Sequence, residues 1–502
     1  MNTQYSEAFR LLQRCTFGPS ADDVNELLTQ GTIDAWINSQ ISLPMTSWLS
    51  IYEDLEDRFD SLGHGLYYAS SWTQMTVNTD DILRHRMAYI LSELFVVSVT
   101  DPAFKAVARR RYMCNYFDGL AEHAFGNFRD LLRFVSTSPV MGEYLTFVGN
   151  RSNAETAPDE NYARELLQLF TLGPVKLDGG GQVETDDNNE PILSYTQNDI
   201  EELARVFTGW EFESAQGAEK YRYPMQAHDS LHDDDEKWIL NKKFSSGVGA
   251  SDELDSVIEH LMSQGNLYTF IAKFFIGKMV TSNPKPAYVR RVRNAFRNAD
   301  GDMVALFKAI LNDRTVLNNS DESGKLRDPM CVFTHAMRAL GVKRRIETDM
   351  WPTQFNWFDR MMPMSAPSVF YYYKQDDAPA DPLFQYHVAP EFNLYQWHQI
   401  YDYGHQFKEL ITRLENEGQK WFMDPEAFHL FLKRNDDDSG WDNQDIVDYL
   451  DEHIFGLSMS VNARSSFMQY LEACDARKPE WHREFKNLVM HALLSPEFVV
   501  QR

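Results

Sequence analysis

The sequence predicts a mostly α-helical fold: a multi-helix body with irregular aromatic-rich segments and room for one small β-hairpin. Apolar residues recur at spacings of three and four along much of the chain, which is the period of an amphipathic helix. Hydrophobic residues make up 43% of the 502 residues and aromatic residues 13%, enough for a substantial core. This length exceeds one compact core. We therefore predict an N-terminal helical region over 1–157, a central helical region over 158–345, and an aromatic-rich segment with C-terminal helices over 346–502.

The clearest helices carry their own start and stop signals. Ser20 is a typical N-cap, Val24 and Leu27 lie on one face of the turns that follow, and Gly31 is a typical stop. A longer helix is predicted from Thr79, because seven apolar residues recur along one face. These residues are Ile82, Leu83, Met87, Ile90, Leu91, Leu94 and Phe95.

Net charge limits the classes of partner. The formal charge is −26, from 48 basic and 74 acidic residues. A field of that sign repels nucleic acid and anionic lipid, so we expect neither as a ligand. No segment approaches the roughly 20 apolar residues that a membrane span needs. The N-terminus carries no basic and apolar secretion signal. We expect a cytoplasmic protein, or a periplasmic or extracellular one if a leader is missing from this chain.

Four polar residues form one stripe on a helix predicted over 158–173. Asn161, Arg164, Glu165 and Gln168 stand at offsets 0, 3, 4 and 7, which places them on the same side of a helix. The residues around the stripe are mostly apolar. We therefore expect part of the stripe to face protein rather than water.

The next predicted helix repeats this arrangement. Thr196 is a typical N-cap with Asp199 three residues on, and Glu202 and Arg205 continue the polar side. The helix ends before Trp210. If the two helices pack through their apolar faces, Arg164, Glu165, Asp199 and Arg205 share one partly buried ionic network. Such a network sets the register between helices or forms part of a catalytic site, and the residues leave both readings open.

Histidines and carboxylates follow the second helix. His228 and Asp229 come first, His232 stands four residues after His228, and Lys237 lies beyond a run of aspartates at 233–235. His228, His232 and Asp229 are suitable ligands for a divalent metal. His228 and Asp229 also suit a general acid–base pair, because the carboxylate fixes the imidazole tautomer. The alternative is a solvated acidic loop, and the identity of any cofactor stays open.

Two further segments lack helical periodicity. The glycine run at 179–181 opens a polar stretch that predicts either a flexible surface loop or a small hairpin. It lacks the lysine that a phosphate-binding loop requires. Residues 351–393 combine aromatics, methionines and prolines without a period, which indicates an irregular segment packed on the helical body.

The run PDENYARE at 158–165 and the run LFTLG at 169–173 resemble the signature of the bacterial family catalogued as domain of unknown function 1800. Tyr195, FTGW at 207–210, and His228-Asp229 with Lys237 are similar to the family's next blocks. Matches to its opening and later blocks extend the resemblance over nearly the whole chain. They are RLL at 10–12, FG at 17–18, APSVF at 366–370, APEF at 389–392 and SPEFVVQ at 495–501.

The resemblance implies a location and a partner. Many members of the family carry an export signal, and many are encoded beside a protein from a phosphatase-superfamily-like family. It therefore implies an envelope or extracellular role with a protein partner. This chain departs from the family pattern at Asp159, where asparagine is usual, and at Gln168, where glutamate is usual.

Two functions follow as hypotheses. The first is a helical binding or assembly protein that docks a protein partner or an envelope polymer through the aromatic segment at 351–393. The second is a hydrolase or lyase, with or without a metal, acting on a polar polymer in a mixed-charge central cleft. Its catalytic residues are Glu165, Asp199, His228 and Asp229. Its substrate-binding residues are Asn161, Arg164, Arg205, Lys237 and Trp210.

Overall fold

The computed structural model describes residues 2–59, 64–104, 110–151, 157–213, 220–317, 324–344, 361–378, 387–395, 403–408, 410–411, 421–422, 442–474 and 481–501. Helices dominate these residues and strands are short, which confirms the predicted mostly α-helical class. The N-terminal helices are α1 (Asn2–Cys15), α2 (Ala21–Gln30), α3 (Ile33–Ser42), α4 (Trp48–Arg58), α5 (His64–Asn78), α6 (Ile82–Leu94), α7 (Arg110–His123), α8 (Phe128–Thr137) and α9 (Pro139–Tyr144).

Local capping explains where these helices begin and end. The Asp23 amide donates to Ser20 Oγ at 3.2 Å, and the Ser20 amide donates to Asp23 Oδ2 at 2.5 Å, so a reciprocal capping box starts α2. Gly31 ends it in the left-handed region at φ +80°. The helix predicted from Thr79 begins at Ile82, with Asp81 at the N-cap position but without a side-chain cap hydrogen bond.

The central helices carry the family-like runs. α10 (Asn161–Glu165) passes directly into a π-helix (Leu166–Thr171), so the helix predicted over 158–173 changes its hydrogen bonding half-way. The helices that follow are α11 (Gln197–Val206), α12 (Ala250–Ser263), α13 (Gly265–Met279), α14 (Pro286–Asn298), α15 (Met303–Leu311) and α16 (Arg314–Leu317).

The strands form short antiparallel pairs. They are β1 (Trp210–Glu211) with β2 (Gln226–Ala227), β3 (Lys237–Ile239) with β4 (Lys242–Phe244), β5 (Lys325–Leu326) with β8 (Val500–Gln501), and β6 (Lys343–Arg344) with β7 (Trp421–Phe422). The glycine loop forms hairpin-like pairing as well. The Lys176 amide donates to Ile192 O at 2.8 Å, and the Glu184 amide donates to Lys176 O at 2.9 Å.

The last helices are α17 (Pro329–Ala339), α18 (Asn443–Phe455), α19 (Val461–Ala473), α20 (Trp481–Leu493) and α21 (Pro496–Val499). The aromatic-rich segment is irregular over 361–378, with Tyr371 and Tyr373 buried and Phe370 exposed. Residues 351–360 of that segment lie outside the described residues. No helix among the residues described is long and apolar enough to cross a membrane.

One hydrophobic cluster runs through the described chain from Tyr5 to Phe498. Its ends meet around His335 of α17, whose ring stacks on Phe498 at a centroid distance of 4.9 Å. The same imidazole lies 5.6 Å from the ring of Phe9 in α1. The three-region division of the chain stays a prediction.

Gly18 lets the turn after α1 lie against α17, and we expect alanine there to be strongly destabilising. Its φ is +121°, and a Cβ atom would overlap the His335 side chain. Backbone strain and overpacking together should lower the free energy of unfolding of Gly18→Ala by about 3 kcal/mol, measured by urea denaturation. Gly31→Ala is the control, because its φ is +80° but open space surrounds it. It should lose only about 1 kcal/mol. Equal losses would contradict the contact.

Candidate functional site

Helix α10 changes from α-helical to π-helical geometry immediately after Glu165. The Leu172 amide donates to Leu167 O, five residues back, at 3.0 Å, which is the π-helical pattern. Gly173 ends the segment at φ +75°, where a Cβ atom would press on the Phe270 ring. π-helical turns are rare and often mark functional sites.

Glu165 is a half-buried carboxylate at this junction. Its Oε2 atom is buried and has no hydrogen-bond partner among the described residues. Burial raises the pKa of Glu165 above its usual 4.5, and the Arg164 guanidinium opposes that rise. A buried acceptor without a donor is uncommon in folded proteins, because it forfeits hydration without compensation.

Two tyrosines lie within electrostatic range of Glu165. Burial raises the pKa of Tyr144 to about 12, and the carboxylates of Asp101 and Glu165 add to the rise. Burial also raises the pKa of Tyr195, with Glu165 again contributing. The site therefore combines a carboxylate, two neutral phenols and a nearby guanidinium. It can accept a hydrogen bond from a ligand, or donate a proton when Glu165 is protonated.

Arg164 and Asn161 face outward beside this site. Arg164 Nη2 donates to Glu160 Oε2 at 2.8 Å, and its Nη1 lies 3.4 Å from Gln197 Oε1. Asn161 Nδ2 donates to Thr146 Oγ1 at 2.8 Å and stays exposed. Both residues, predicted to bind substrate, remain accessible to a ligand.

Asp199 is occupied by backbone and cap contacts. Its Oδ2 accepts from the Thr196 amide at 2.8 Å and from Thr196 Oγ1 at 2.7 Å, which closes the capping box of α11. Its Oδ1 accepts from the Leu240 amide at 2.7 Å. These contacts fix the start of α11 against the turn between β3 and β4.

Arg205 belongs to a separate cluster. Its Nε and Nη2 donate to the two carboxylate oxygens of Asp233, each at 2.9 Å, and its Nη1 donates to Glu202 at 3.0 Å. This bidentate geometry is the strongest form of an arginine–carboxylate pair. It raises the pKa of Arg205, with Asp233 as the main cause.

Lys237 is fully buried beside Asp233. Its Nζ lies 2.9 Å from Glu253 Oε2 and donates to Asp233 O at 2.5 Å. The buried ring of His232 lies between two partners: Nε2 is 3.0 Å from Glu253 Oε2, and Nδ1 is 3.0 Å from Thr208 O. Glu253 of α12 therefore contacts two buried side chains, His232 and Lys237, of the segment between α11 and α12. Because these groups are paired inside the protein, we interpret them as structural contacts that hold this segment against α12.

The predicted metal ligands do not converge. The Asp229 carboxylate accepts from the Ala250 amide at 3.0 Å at the start of α12, and His228 is exposed. Both ring nitrogens of His232 are engaged as described above. No group of three or more His, Cys, Asp or Glu residues in the described ranges is arranged to hold a metal ion.

The expectation of one network joining Arg164, Glu165, Asp199 and Arg205 is wrong. Arg164 contacts the first turn of α11 and Arg205 lies in its last turn, so roughly 12 Å of helix separates the two ends. Arg164, Asp199 and Arg205 each have separate partners.

Trp210 lies in the core rather than on a binding surface. It is 2% exposed, and its carbonyl accepts from the Gly149 amide at 2.8 Å. The sequence predicts Trp210 as a substrate-binding residue, and this burial does not fit that role. The structure places the indole inside, because strand β1 turns the side chain toward the hydrophobic cluster.

The family described as "Protein of unknown function (DUF1800)" matches the chain over residues 10–500. The chain belongs to the DUF1800 family. No curated protein matches it, and no solved structure does. The resemblance drawn from the sequence motifs is thereby confirmed.

The DUF1800 chain contains a second buried polar cluster that the sequence reasoning missed. Lys278 of α13 pairs with Glu93 of α6, and Lys325 of β5 pairs with Glu391. Tyr373 links the pairs, because it accepts from Lys278 Nζ at 3.1 Å and donates to Glu391 Oε1 at 3.4 Å. The signal was present in the sequence: Glu93 and Lys278 each interrupt an apolar helical run.

Substitution of Glu253 tests directly whether its contacts with Lys237 and His232 stabilise this DUF1800 chain. Removing its carboxylate in Glu253→Ala leaves the buried Lys237 with only the more distant Asp233 carboxylate, 3.9 Å from its Nζ. We therefore expect a loss of about 3–5 kcal/mol in the free energy of unfolding. Chemical denaturation measures it. The control is Glu236→Ala, which removes an exposed partner of Lys243 at 2.6 Å and should change stability little. If both variants change the free energy of unfolding equally, Lys237 is hydrated and its contact with Glu253 does not stabilise the fold.

The raised pKa of Glu165 makes the free energy of unfolding depend on pH. The folded state holds the proton more tightly than the unfolded state, so stability falls as pH rises from 4.5 through the folded-state pKa. Glu165→Gln removes this loss. The melting temperature of the variant should exceed that of the wild type at pH 7, and the difference should vanish near pH 4. A constant difference across that range would contradict the burial of the carboxylate.

Proposed function

We propose that the protein is a helical binding protein whose ligand is a neutral or amine-bearing polymer with hydroxyl groups, such as an envelope polysaccharide. The observation that carries the proposal is the buried Oε2 atom of Glu165, which has no hydrogen-bond donor in the described part of the chain. A ligand hydroxyl or ammonium group supplies the missing donor. Satisfying a desolvated carboxylate in this way is favourable by about 1.5–3 kcal/mol.

The surroundings of Glu165 support this ligand class. Tyr144 and Tyr195 present phenolic groups within electrostatic range of the carboxylate, and aromatic groups with a few polar atoms are typical of ligand sites. Asn161 and Arg164 add exposed donors at the rim. The net charge of −26 disfavours an anionic polymer.

The aromatic segment gives less support to docking than its sequence suggested. Tyr371 and Tyr373 are 5% exposed and contact the buried polar cluster, whereas Phe370 and Phe392 remain about 40% exposed. The partner from a phosphatase-superfamily-like family, implied by the resemblance, stays a proposal. We place the principal contact surface at Glu165 instead.

A second candidate function is hydrolysis or elimination at the same site. The raised pKa of Glu165 suits a general acid, because such a group must hold its proton near the working pH. Asp101 is a second carboxylate within electrostatic range of Tyr144.

Co-sedimentation with insoluble chitin and with chitosan tests the proposal. Wild-type protein should sediment with at least one polymer, and Glu165→Ala should weaken the apparent affinity about tenfold or more, because it removes the acceptor. Folding should be retained, since no described partner is lost. Glu184→Ala in the exposed hairpin is the matched control and should bind as the wild type does.

The outcomes separate the two functions. Binding without release of reducing ends supports the binding protein, whereas release that Glu165→Gln abolishes supports the hydrolase. Equal sedimentation of wild type and Glu165→Ala, with both variants folded, would remove Glu165 from the site. The absence of wild-type binding to either polymer would overturn the ligand class.

A further inference from the structure

Three arginines form a row along the outer face of α14. Arg290, Arg293 and Arg297 stand at offsets 0, 3 and 7, which places them on one side of the helix. Arg290 and Arg297 are exposed, and Arg293 is half-buried. The helix rises by roughly 10 Å between the first and the last of them, so the row is longer than one small anion.

The glycine loop lies against this row. The point where a Cβ atom of Gly179 would stand is 3.9 Å from Arg290 Nε and 4.0 Å from Arg293 Nη1. Two guanidinium groups therefore flank a residue that has no side chain. Lys273 of α13 reaches the same loop, where its Nζ donates to Gly181 O at 3.1 Å. Cations of two helices thus meet at this loop.

None of these four cations forms an ion pair within the described ranges. Arg293 Nη1 donates to the neutral Asn294 Oδ1 at 2.9 Å, and the acceptor of Lys273 is a carbonyl. By contrast, Arg129 and Arg133 of α8 each pair with a carboxylate of another segment. The positive charge of the row is therefore left without direct compensation.

Carboxylates near the row do not neutralise it. Asp178 Oδ1 accepts from two backbone amides of its own loop, at 2.7 and 3.0 Å. Its carboxylate lies within electrostatic range of Arg290 but does not pair with it. Asp376 is likewise within electrostatic range of Lys273 without pairing with it.

The surroundings of Arg293 disfavour its positive charge. Burial lowers the pKa of Arg293, and the charge of Arg297 lowers it further. The Nε atom of Arg293 is buried and has no acceptor in the described part of the chain. A carboxylate brought to this face from outside would offset the repulsion between the two arginines.

We propose that the outer face of α14, with Arg290, Arg293 and Arg297, docks an acidic segment of a protein partner. Charge complementarity selects this occupant, because guanidinium groups bind carboxylates with charge-assisted hydrogen bonds. Side chains on one side of a helix or strand recur about every 5–7 Å. A segment with a few carboxylates at that spacing therefore matches the length of the row.

The rest of the protein disfavours a continuous polyanion on this face. The net charge is −26, so a nucleic acid or an anionic membrane that extends past the row meets a repulsive field. A peptide can place its carboxylates opposite the three arginines and neutral residues elsewhere. This surface is independent of Glu165 and of the function proposed there.

Fluorescence anisotropy of a labelled oligoglutamate peptide tests the surface. The wild type should bind the peptide at low ionic strength, and binding should weaken as salt is added, because exposed ion pairs are screened. The field of the whole chain repels such a peptide, so binding reports a local positive surface. The triple variant Arg290→Gln, Arg293→Gln, Arg297→Gln should bind at least about tenfold more weakly.

The matched control removes three exposed cations that already have a carboxylate partner, at 2.9, 2.6 and 3.3 Å. It combines Arg58→Gln, Lys243→Gln and Arg483→Gln. Both triple variants lose the same charge, so a difference between them reports where the cations lie rather than how many there are. The control should bind the peptide as the wild type does.

Three results would overturn the surface. They are no binding by the wild type at low ionic strength, equal weakening in both triple variants, or tighter binding to single-stranded DNA or to phosphatidylglycerol vesicles than to the peptide. Circular dichroism checks that each variant is folded. If the α14 triple variant does not fold, the double variant Arg290→Gln, Arg297→Gln decides, because both side chains are exposed. Wild-type affinity in that variant overturns the surface.

Discussion

A charge enclosed in a helical core must meet an opposite charge or a full set of hydrogen bonds, and this constraint organises the protein. Lys237 of β3 pairs with Glu253 of α12, and Lys278 of α13 pairs with Glu93 of α6. Each pair joins two different elements of the fold, so charge satisfaction also fixes how these elements pack. Glu165 departs from this pattern, because its buried Oε2 atom has no hydrogen-bond donor in the described part of the chain, and the proposed function rests on that atom.

Local signals made much of the fold predictable. Ser20 and Gly31 bracket α2 as expected, and Thr196 with Asp199 forms the expected capping box. These features depend on residues within one helical turn of each other. The change to π-helix after Glu165 was not predictable, because the six residues Leu166–Thr171 make little more than one turn, too few for a new period to show in the sequence.

The site was predictable only in part. Periodicity correctly placed polar residues on one side of α11, but it does not say which neighbour they meet. Arg205 meets Asp233, 28 residues later, and His232 meets Glu253, 21 residues later. Such pairings depend on how a loop returns to the helix, and the sequence contains no spacing rule for that path. The tyrosines of the aromatic segment are a similar case, since their hydroxyl groups serve the buried cluster while their rings fill the core.

The pairing of β5 with β8 bears on how the chain is made. Lys325 is opposite Gln501, and Gln501 Nε2 donates at 2.7 Å to Met279 O, 222 residues earlier. During synthesis, α13 and β5 leave the ribosome long before the residues that complete their hydrogen bonds. A nascent chain of this protein therefore has an incomplete core until β8 emerges. Apolar surface that stays uncovered over that interval favours aggregation.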